Sequence, residues 1–180
     1  MALIKIKSES MNLADDYAFT GTVTGAGGVS PEPYFRATNS GNYTFDSGSE
    51  EVVQFQTDVF DPQGTFNNTG SSVTLNGIST DAYSYAPNVN GYYHLGASIH
   101  FQTVADGTSI EFKINKNQGT IIRTMIHSGN GSKDLNPFVS VISTANGTSD
   151  DFQCSVRLDG SQENIYNGLA YVTFWGYRIA

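Results

Sequence analysis

Gly91-Tyr92-Tyr93-His94-Leu95-Gly96-Ala97-Ser98-Ile99-His100-Phe101-Gln102 is the stretch that decides the fold class. Tyr93, Leu95, Ala97, Ile99 and Phe101 alternate with Tyr92, His94, Gly96, Ser98 and His100. A strand repeats every second residue, so the first set lies on an apolar side and the second on a mixed side. Ser109 to Asn115 alternates in the same way, with Ile110, Phe112 and Ile114 inward, and so do Phe152, Cys154, Val156 and Leu158. The segment from Tyr171 to Ala180 carries large residues at both parities. That fits either a central strand covered by two layers or one whose second face meets another subunit. Gly, Asn, Asp and Ser separate these runs, and no segment holds apolar residues at helical spacing for long. Short strands of this kind bury their alternating faces between two sheets, as a β-sandwich or jelly roll.

Composition points the same way. The 180 residues suit one domain with a short extension and are enough for a sizeable core. Charged residues are only 14% of the chain, against roughly 25% in an ordinary soluble domain. Ser, Thr, Asn and 19 Gly fill the polar positions, which suits strands and turns better than exposed helices. The formal net charge of −8 repels phosphate backbones and anionic lipid, so no nucleic-acid partner is expected. No apolar run approaches the roughly 18 residues of a membrane span, so no membrane insertion is expected. The start of the chain lacks the apolar stretch of a secretory signal. The single Cys154 excludes an intrachain disulfide framework and a multi-cysteine zinc site, and its inward parity marks it as a small packing residue.

Leu3-Ile4-Lys5-Ile6 and Tyr17-Ala18-Phe19-Thr20 are short β-prone pieces, followed by a Gly-rich run at 21–28 and then Pro31-Glu32-Pro33. Gly and Pro in such density punctuate a boundary. The expectation is an extended N-terminal arm over residues 1–33 and a compact domain over 34–180. An arm with few packing options either docks on something else, here through Leu3, Ile4, Ile6, Leu13, Tyr17 and Phe19, or is a frayed terminus. Aromatics are 12% of the chain, and Tyr is enriched where a ring is buried while its hydroxyl still meets water or a partner. Together with exposed sheet edges this favours an oligomer.

Three blocks resemble the C1q/tumour-necrosis-factor-like family of jelly rolls. The first is Val53-Gln54-Phe55-Gln56-Thr57-Asp58-Val59-Phe60, running into Asp61-Pro62-Gln63-Gly64-Thr65-Phe66. The second, Tyr85-Ala86-Pro87-Asn88-Val89-Asn90-Gly91-Tyr92-Tyr93, is the most specific: Pro87 removes a ladder donor at a corner and Gly91 permits a backbone bend. The third, Thr173-Phe174-Trp175-Gly176-Tyr177-Arg178-Ile179, resembles the family's closing strand. Residues 8–25 resemble the leader that precedes distal domains in virion proteins of tailed bacteriophages. Together these resemblances imply an all-β, C1q/TNF-like jelly-roll sandwich that forms a homotrimer. No Gly-X-Y collagen stalk precedes it, so the jelly roll itself must drive the assembly.

The usual catalytic motifs are missing: no Gly-x-Ser-x-Gly elbow, no His-Glu-x-x-His, no phosphate-binding loop. The chain is expected not to be an enzyme and to need no cofactor. His94 and His100 share a parity, so a threefold axis could gather either as a metal or pH-sensitive site, or both are ordinary polar-face residues. His127 reads as a surface residue. Asp58 and Asp61 could supply oxygen ligands to calcium or sit in a solvated turn, and no ligand set maps onto the chain. Asp15-Asp16 and Asp150-Asp151 complete the paired carboxylates. Asn42, Asn67, Asn130 and Asn146 begin Asn-x-Ser/Thr triplets, read here as turns.

The resemblance implies a structural protein on the surface of a tailed-bacteriophage virion, made in the host cytoplasm. Tyr92, His94, His100, Phe174, Trp175 and Tyr177 are the candidate trimer-interface residues. Two roles stay open. A capsid decoration or cement protein would be anchored on the major capsid protein by its arm; a tail-fibre or head-fibre tip would point its loops at a host surface glycan or protein. The arm could reach at most roughly 110 Å fully extended, with no shaft-forming repeat, which favours decoration. Loops rich in Tyr, Asn, Ser and Gly favour recognition. A carbohydrate-binding module or depolymerase is the outside alternative.

Overall fold

The structure is a computed structural model that describes residues 32–166 and 171–180. The arm candidates Leu3, Ile4, Ile6, Leu13, Tyr17 and Phe19 lie outside the described residues. From Tyr34 onward the chain is strands and turns: β1 (Tyr34–Thr38), β2 (Tyr43–Phe45), β3 (Glu50–Val52), β4 (Thr57–Phe60), β5 (Val73–Leu75), β6 (Ile78–Thr80), β7 (Ser84–Tyr85), β8 (Gly91–Ser98), β9 (Phe101–Val104), β10 (Ser109–Lys116), β11 (Gly119–His127), β12 (Lys133–Leu135), β13 (Phe138–Ala145), β14 (Phe152–Asp159), β15 (Glu163–Ile165) and β16 (Thr173–Arg178). No helix occurs among the described residues.

One five-stranded sheet runs β13-β8-β16-β1-β4. A second runs β11-β10-β14-β3, with β7 also pairing β14. A third, β12-β9-β15-β2, and the β5-β6 hairpin complete the fold. The inward rows of the first two sheets meet in one core: Phe35, Leu95 and Phe174 from the first, Phe112, Ile114 and Val156 from the second. The core is aromatic at its centre. Phe35 stacks on Tyr85 at 4.2 Å between ring centroids and on Phe66 at 4.9 Å, and meets Phe174 edge-on at 4.8 Å. Such pairs contribute about 0.5–1.5 kcal/mol each beyond the area they bury.

The sequence blocks take physical form here. Asp61 builds its turn with both carboxylate oxygens: Thr65 Oγ1 donates to one at 2.9 Å and the Phe66 amide to the other at 2.7 Å. Gly64 supplies the left-handed residue, with φ of 61°. Tyr93 plugs the sandwich and anchors its hydroxyl on the Val89 carbonyl at 2.6 Å. Gly176 faces the core, where a Cβ would come within 2.6 Å of Leu95 and 2.9 Å of Phe35. That is why the closing strand interrupts its aromatics with a glycine.

Two expectations are corrected. Gly91 to Gln102 is not one strand: β8 ends at Ser98 in the first sheet, and β9 starts at Phe101 in the third. His100 therefore does not share a sheet face with His94; it sits in the crossing between sheets. Phe174 is not an interface residue, because its ring is fully buried in the protomer's own core.

Candidate functional site

The outward face of the five-stranded sheet is where the sequence candidates converge. Antiparallel register places their side chains in rows across the strands. Ile142 pairs with His94, His94 with Tyr177, and Tyr177 with Tyr34, forming one row across four strands. The next row runs Ser140, Gly96, Trp175, Arg36 and Phe60. Phe138, Ser98 and Thr173 form a third.

His94 ties the first two rows together. Its Nδ1 lies 2.9 Å from the Tyr177 hydroxyl and its Nε2 2.8 Å from Ser140 Oγ, so either tautomer keeps both hydrogen bonds. Its ring also meets Trp175 edge-on at 5.0 Å and Tyr177 at 5.4 Å. Trp175 and Tyr177 stack at 6.0 Å. These contacts hold the rings of the face in fixed positions.

The face has two halves of different shape. On the β16-β1-β4 side, Tyr34, Phe60, Trp175 and Tyr177 line an apolar groove of about 580 Å³, with Arg36 and Thr173 on its polar margin. Arg36 Nε donates to Thr173 Oγ1 at 3.3 Å. On the β8-β13 side the surface projects instead: Tyr92, Phe138 and Ile142 are 55%, 56% and 60% exposed. Large apolar side chains clustered on one sheet face mark an interaction surface, unlike apolar residues scattered singly.

The second sheet presents the opposite character on its side away from the core. Glu111, Lys113 and Asn115 alternate with the inward residues of β10, and Lys113 is buried between two carboxylates, 2.7 Å from Glu50 and 3.2 Å from Glu111. Arg123 adds a 2.8 Å pair to Glu111. Burial pushes the Glu50 and Glu111 carboxyls up, but the hydrogen bonds they receive outweigh it and hold both below the ordinary range. One outward face is thus aromatic and the other an ion and hydrogen-bond ladder.

The structure brings Tyr92, His94, Trp175 and Tyr177 to the aromatic face and leaves out His100 and Phe174. His100 is packed against Tyr166 and Tyr171, bonded through Nδ1 to Asn136 Oδ1, and 3.8 Å from Asp134. His127 is exposed and lies 2.6 Å from Ser109 Oγ. Tyr34, Phe138 and Ile142 were missed, although parity carried them: Phe35 and Ala37 face inward, so Tyr34 faces out, and Val139 inward puts Phe138 and Ile142 outward. Phe60 was missed too, and β4, exposed at all four residues, offers no parity for it. Asp58 and Asp61 accept from separate protein donors. Asp61 spends both oxygens on its turn, and Asp58 accepts from Asn68 Nδ2 at 3.1 Å. Among the described residues no group of three or more His, Cys, Asp and Glu side chains could hold a metal. Asn67 is buried, its amide held by Ser71 and Asp81 carbonyls.

Solved structures share this fold. The Eiger TNF from S. frugiperda superposes with a TM-score of 0.58 at 11% identity, covering 82% of this chain and 91% of that one. Murine APRIL superposes at 0.59 with 6% identity, covering 82% of this chain and 99% of that one. The globular domain of zebrafish complement 1qA protein matches less closely, at 0.48 and 12% identity, and the fold assignment rests on the other two. No protein-family model and no curated protein sequence matches the chain. At these identities the likeness establishes the architecture, a TNF-like jelly roll.

Proposed function

We propose that this chain is a non-enzymatic structural module that assembles into a homotrimer through the aromatic face of its five-stranded sheet. The exposed face itself is the observation that carries this reading. A threefold ring needs a heterologous interface, in which two different patches of the same subunit fit each other. The face offers such a pair: the groove at Tyr34, Phe60, Trp175 and Tyr177, and the projecting Phe138, Ile142 and Tyr92 toward the opposite edge. Each large apolar side chain moved from water into the groove contributes about 1.5–3 kcal/mol. The ladder of the second sheet then remains on the outside.

In the role this reading supports, the trimer is a capsid decoration protein on a tailed-bacteriophage virion, held by the N-terminal arm. Sedimentation of the full chain tests the assembly: the expected mass is three times 19.4 kDa, and a Phe138→Asp, Ile142→Asp double variant is expected to sediment as a folded monomer. A monomeric parent overturns the trimer. Gold-labelled antibody on purified virions tests the location. Label over the head supports decoration; label confined to the tail makes the chain a fibre component, and no label removes the virion role.

A further inference from the structure

Asparagine followed by glycine recurs five times in the chain, at Asn76-Gly77, Asn90-Gly91, Asn130-Gly131, Asn146-Gly147 and Asn167-Gly168. The last lies outside the described residues. Glycine has no side chain to shield its amide, so that nitrogen can turn toward the side-chain carbonyl of the preceding asparagine, itself a thermolabile residue. The four described pairs share this chemistry and differ in how far the fold lets it proceed.

Three of them are held. Asn146 Oδ1 accepts from the amides of Thr148, Ser149 and Asp150 at 2.9, 2.9 and 3.2 Å, and its Nδ2 donates to Ser149 Oγ at 2.8 Å. Its glycine is packed as well, since a Cβ on Gly147 would come within 2.6 Å of the Asn90 amide nitrogen. Gly91 is a ladder residue of β8 opposite Ala145, with the Ala180 carbonyl packed against it. Asn76 sits in the tight turn of the β5-β6 hairpin and donates its Nδ2 to the Gln63 and Gly64 carbonyls at 3.2 and 3.1 Å.

Asn130 is the exception. It is exposed in the loop between β11 and β12, and among the described residues no hydrogen bond or ion pair holds its side chain. Gly129 and Gly131 on either side are exposed too, and a Cβ built on either would meet nothing within 4 Å. The loop is anchored through carbonyls: the buried Ser128 donates its Oγ to those of Val104 and Gly131 at 3.2 and 3.3 Å, and Lys133 Nζ donates to that of Gly129 at 2.8 Å. The Gly131 amide makes no backbone hydrogen bond among the described residues, so the attacking nitrogen is free.

We propose that Asn130 is a self-modification site, converted to aspartate and isoaspartate through a cyclic imide with Gly131. The Gly131 nitrogen bonds to the Asn130 Cγ as the Cγ–Nδ2 bond breaks, and ammonia leaves with the amide proton. Water then opens the ring. Cleavage at Cγ leaves aspartate, and cleavage at the backbone carbonyl leaves isoaspartate, with the main chain rerouted through Cβ and Cγ. No oxidant or reductant takes part. Either product adds a negative charge to a chain whose formal net charge is already −8. The isoaspartate also lengthens the loop by a methylene between its Ser128 and Lys133 anchors. The loop is not part of the aromatic face, and the proposal stands whether or not the chain trimerises.

Incubation of the full chain in mildly alkaline buffer, followed by peptide mapping with mass spectrometry, gives the rate at each pair. Asn130 is expected to convert at least about tenfold faster than Asn146, whose held carbonyl and packed glycine deny the attacking geometry, and faster than Asn76 and Asn90. The same incubation in guanidinium chloride removes the fold, and the four rates should then draw together, because glycine follows every one of these asparagines. Asn130→Gln, a change at an exposed side chain, should remove the first acidic species to appear on ion exchange. A native rate at Asn130 no higher than at Asn146, an early acidic species that survives Asn130→Gln, or a spread of rates that is undiminished in denaturant overturns the proposal.

Discussion

Trp175 occupies the space above Gly96: a Cβ built on that glycine would approach the indole to 2.2 Å. The two residues are directly paired across β16 and β8, in the middle of the aromatic face. A glycine inside a strand gives up side-chain packing, and here the indole fills the vacancy. Gly96→Ala is expected to expel the indole, destabilise the protomer by about 1–3 kcal/mol as overpacking does, and abolish assembly. The chain has one Trp, so its fluorescence reports the displacement directly. An unchanged emission spectrum would contradict the close approach.

Phe174 and Tyr177 lie on opposite faces of the same strand, so their truncations should separate. Phe174→Ala empties part of the core and is expected to cost about 3–5 kcal/mol in denaturant unfolding. Tyr177→Ala removes a ring that is 44% exposed and is expected to change protomer stability by well under half of that, while weakening self-association. Chemical denaturation and sedimentation of the two variants side by side give both readings.

Lys113 neutralises two carboxylates. Lys113→Ala is expected to destabilise by about 3 kcal/mol, the low end for breaking a buried pair, because Glu50 is half-exposed and Glu111 keeps Arg123. Pairing Lys113→Met with Glu50→Gln is expected to recover most of the loss, since the uncompensated charge goes with it. Urea melts of both variants check this.

Acid should weaken the fold through the same ladder. Burial raises the carboxyls of Glu50, Glu111 and Asp150, but their hydrogen bonds and neighbouring cations outweigh it and hold all three below their ordinary values. The unfolded chain therefore takes up these protons first, and the stability they contribute is present above their ordinary values of about 4.5 and 3.8 and is lost as pH falls through the lower folded ones. Asp58 and Asp151, raised chiefly by burial, work in the opposite sense and offset part of the loss. Unfolding free energy measured from pH 6 downward should fall, and Glu111→Gln should flatten the decline.

At the alkaline end, burial and then the hydrogen bond to Glu51 push the Tyr43 phenol up to about 12, and burial pushes Tyr93 to about 12. A raised folded value means stability that is intact below the ordinary 10.0 and is lost as pH rises through about 12. Absorbance at the phenolate band should show late-titrating tyrosines, and Tyr43→Phe should remove one of them.

Parity made most of the sandwich legible. The alternations at 91–98, 109–115 and 152–158 gave the inward residues of β8, β10 and β14, because each strand keeps one face on the core throughout. The crossing after Ser98 was hidden for a physical reason: Ile99 and Phe101 are core residues on both sides of it, and no Gly or Pro marks the bend. The left-handed residue that follows is Thr103, with φ of 54°, a type that carries no such expectation. For the same reason His100 looked like a neighbour of His94. Phe174 was assigned to the interface because the closing segment carries large residues at both parities, and the sequence does not say which parity faces the core; the structure puts Phe174 and Gly176 inside. The groove was illegible because Tyr34, Phe60 and Trp175 come from three distant segments that only the β4-β1-β16 pairing brings together.

The pairing of β1 with β16 sets a timetable for synthesis. Tyr34 opposes Tyr177 and Arg36 opposes Trp175, so β1, paired on its other edge with β4, finds this second neighbour only after β16 has left the ribosome. Until then Phe35 lacks its edge-on contact with Phe174, and the gap between β1 and β8 stands open to any other strand. Closing contacts so far apart in the chain is slow. A nascent copy therefore spends its translation exposed to its own polysomal neighbours, with a vacant strand position that a chaperone, or another copy's β16, can reach first.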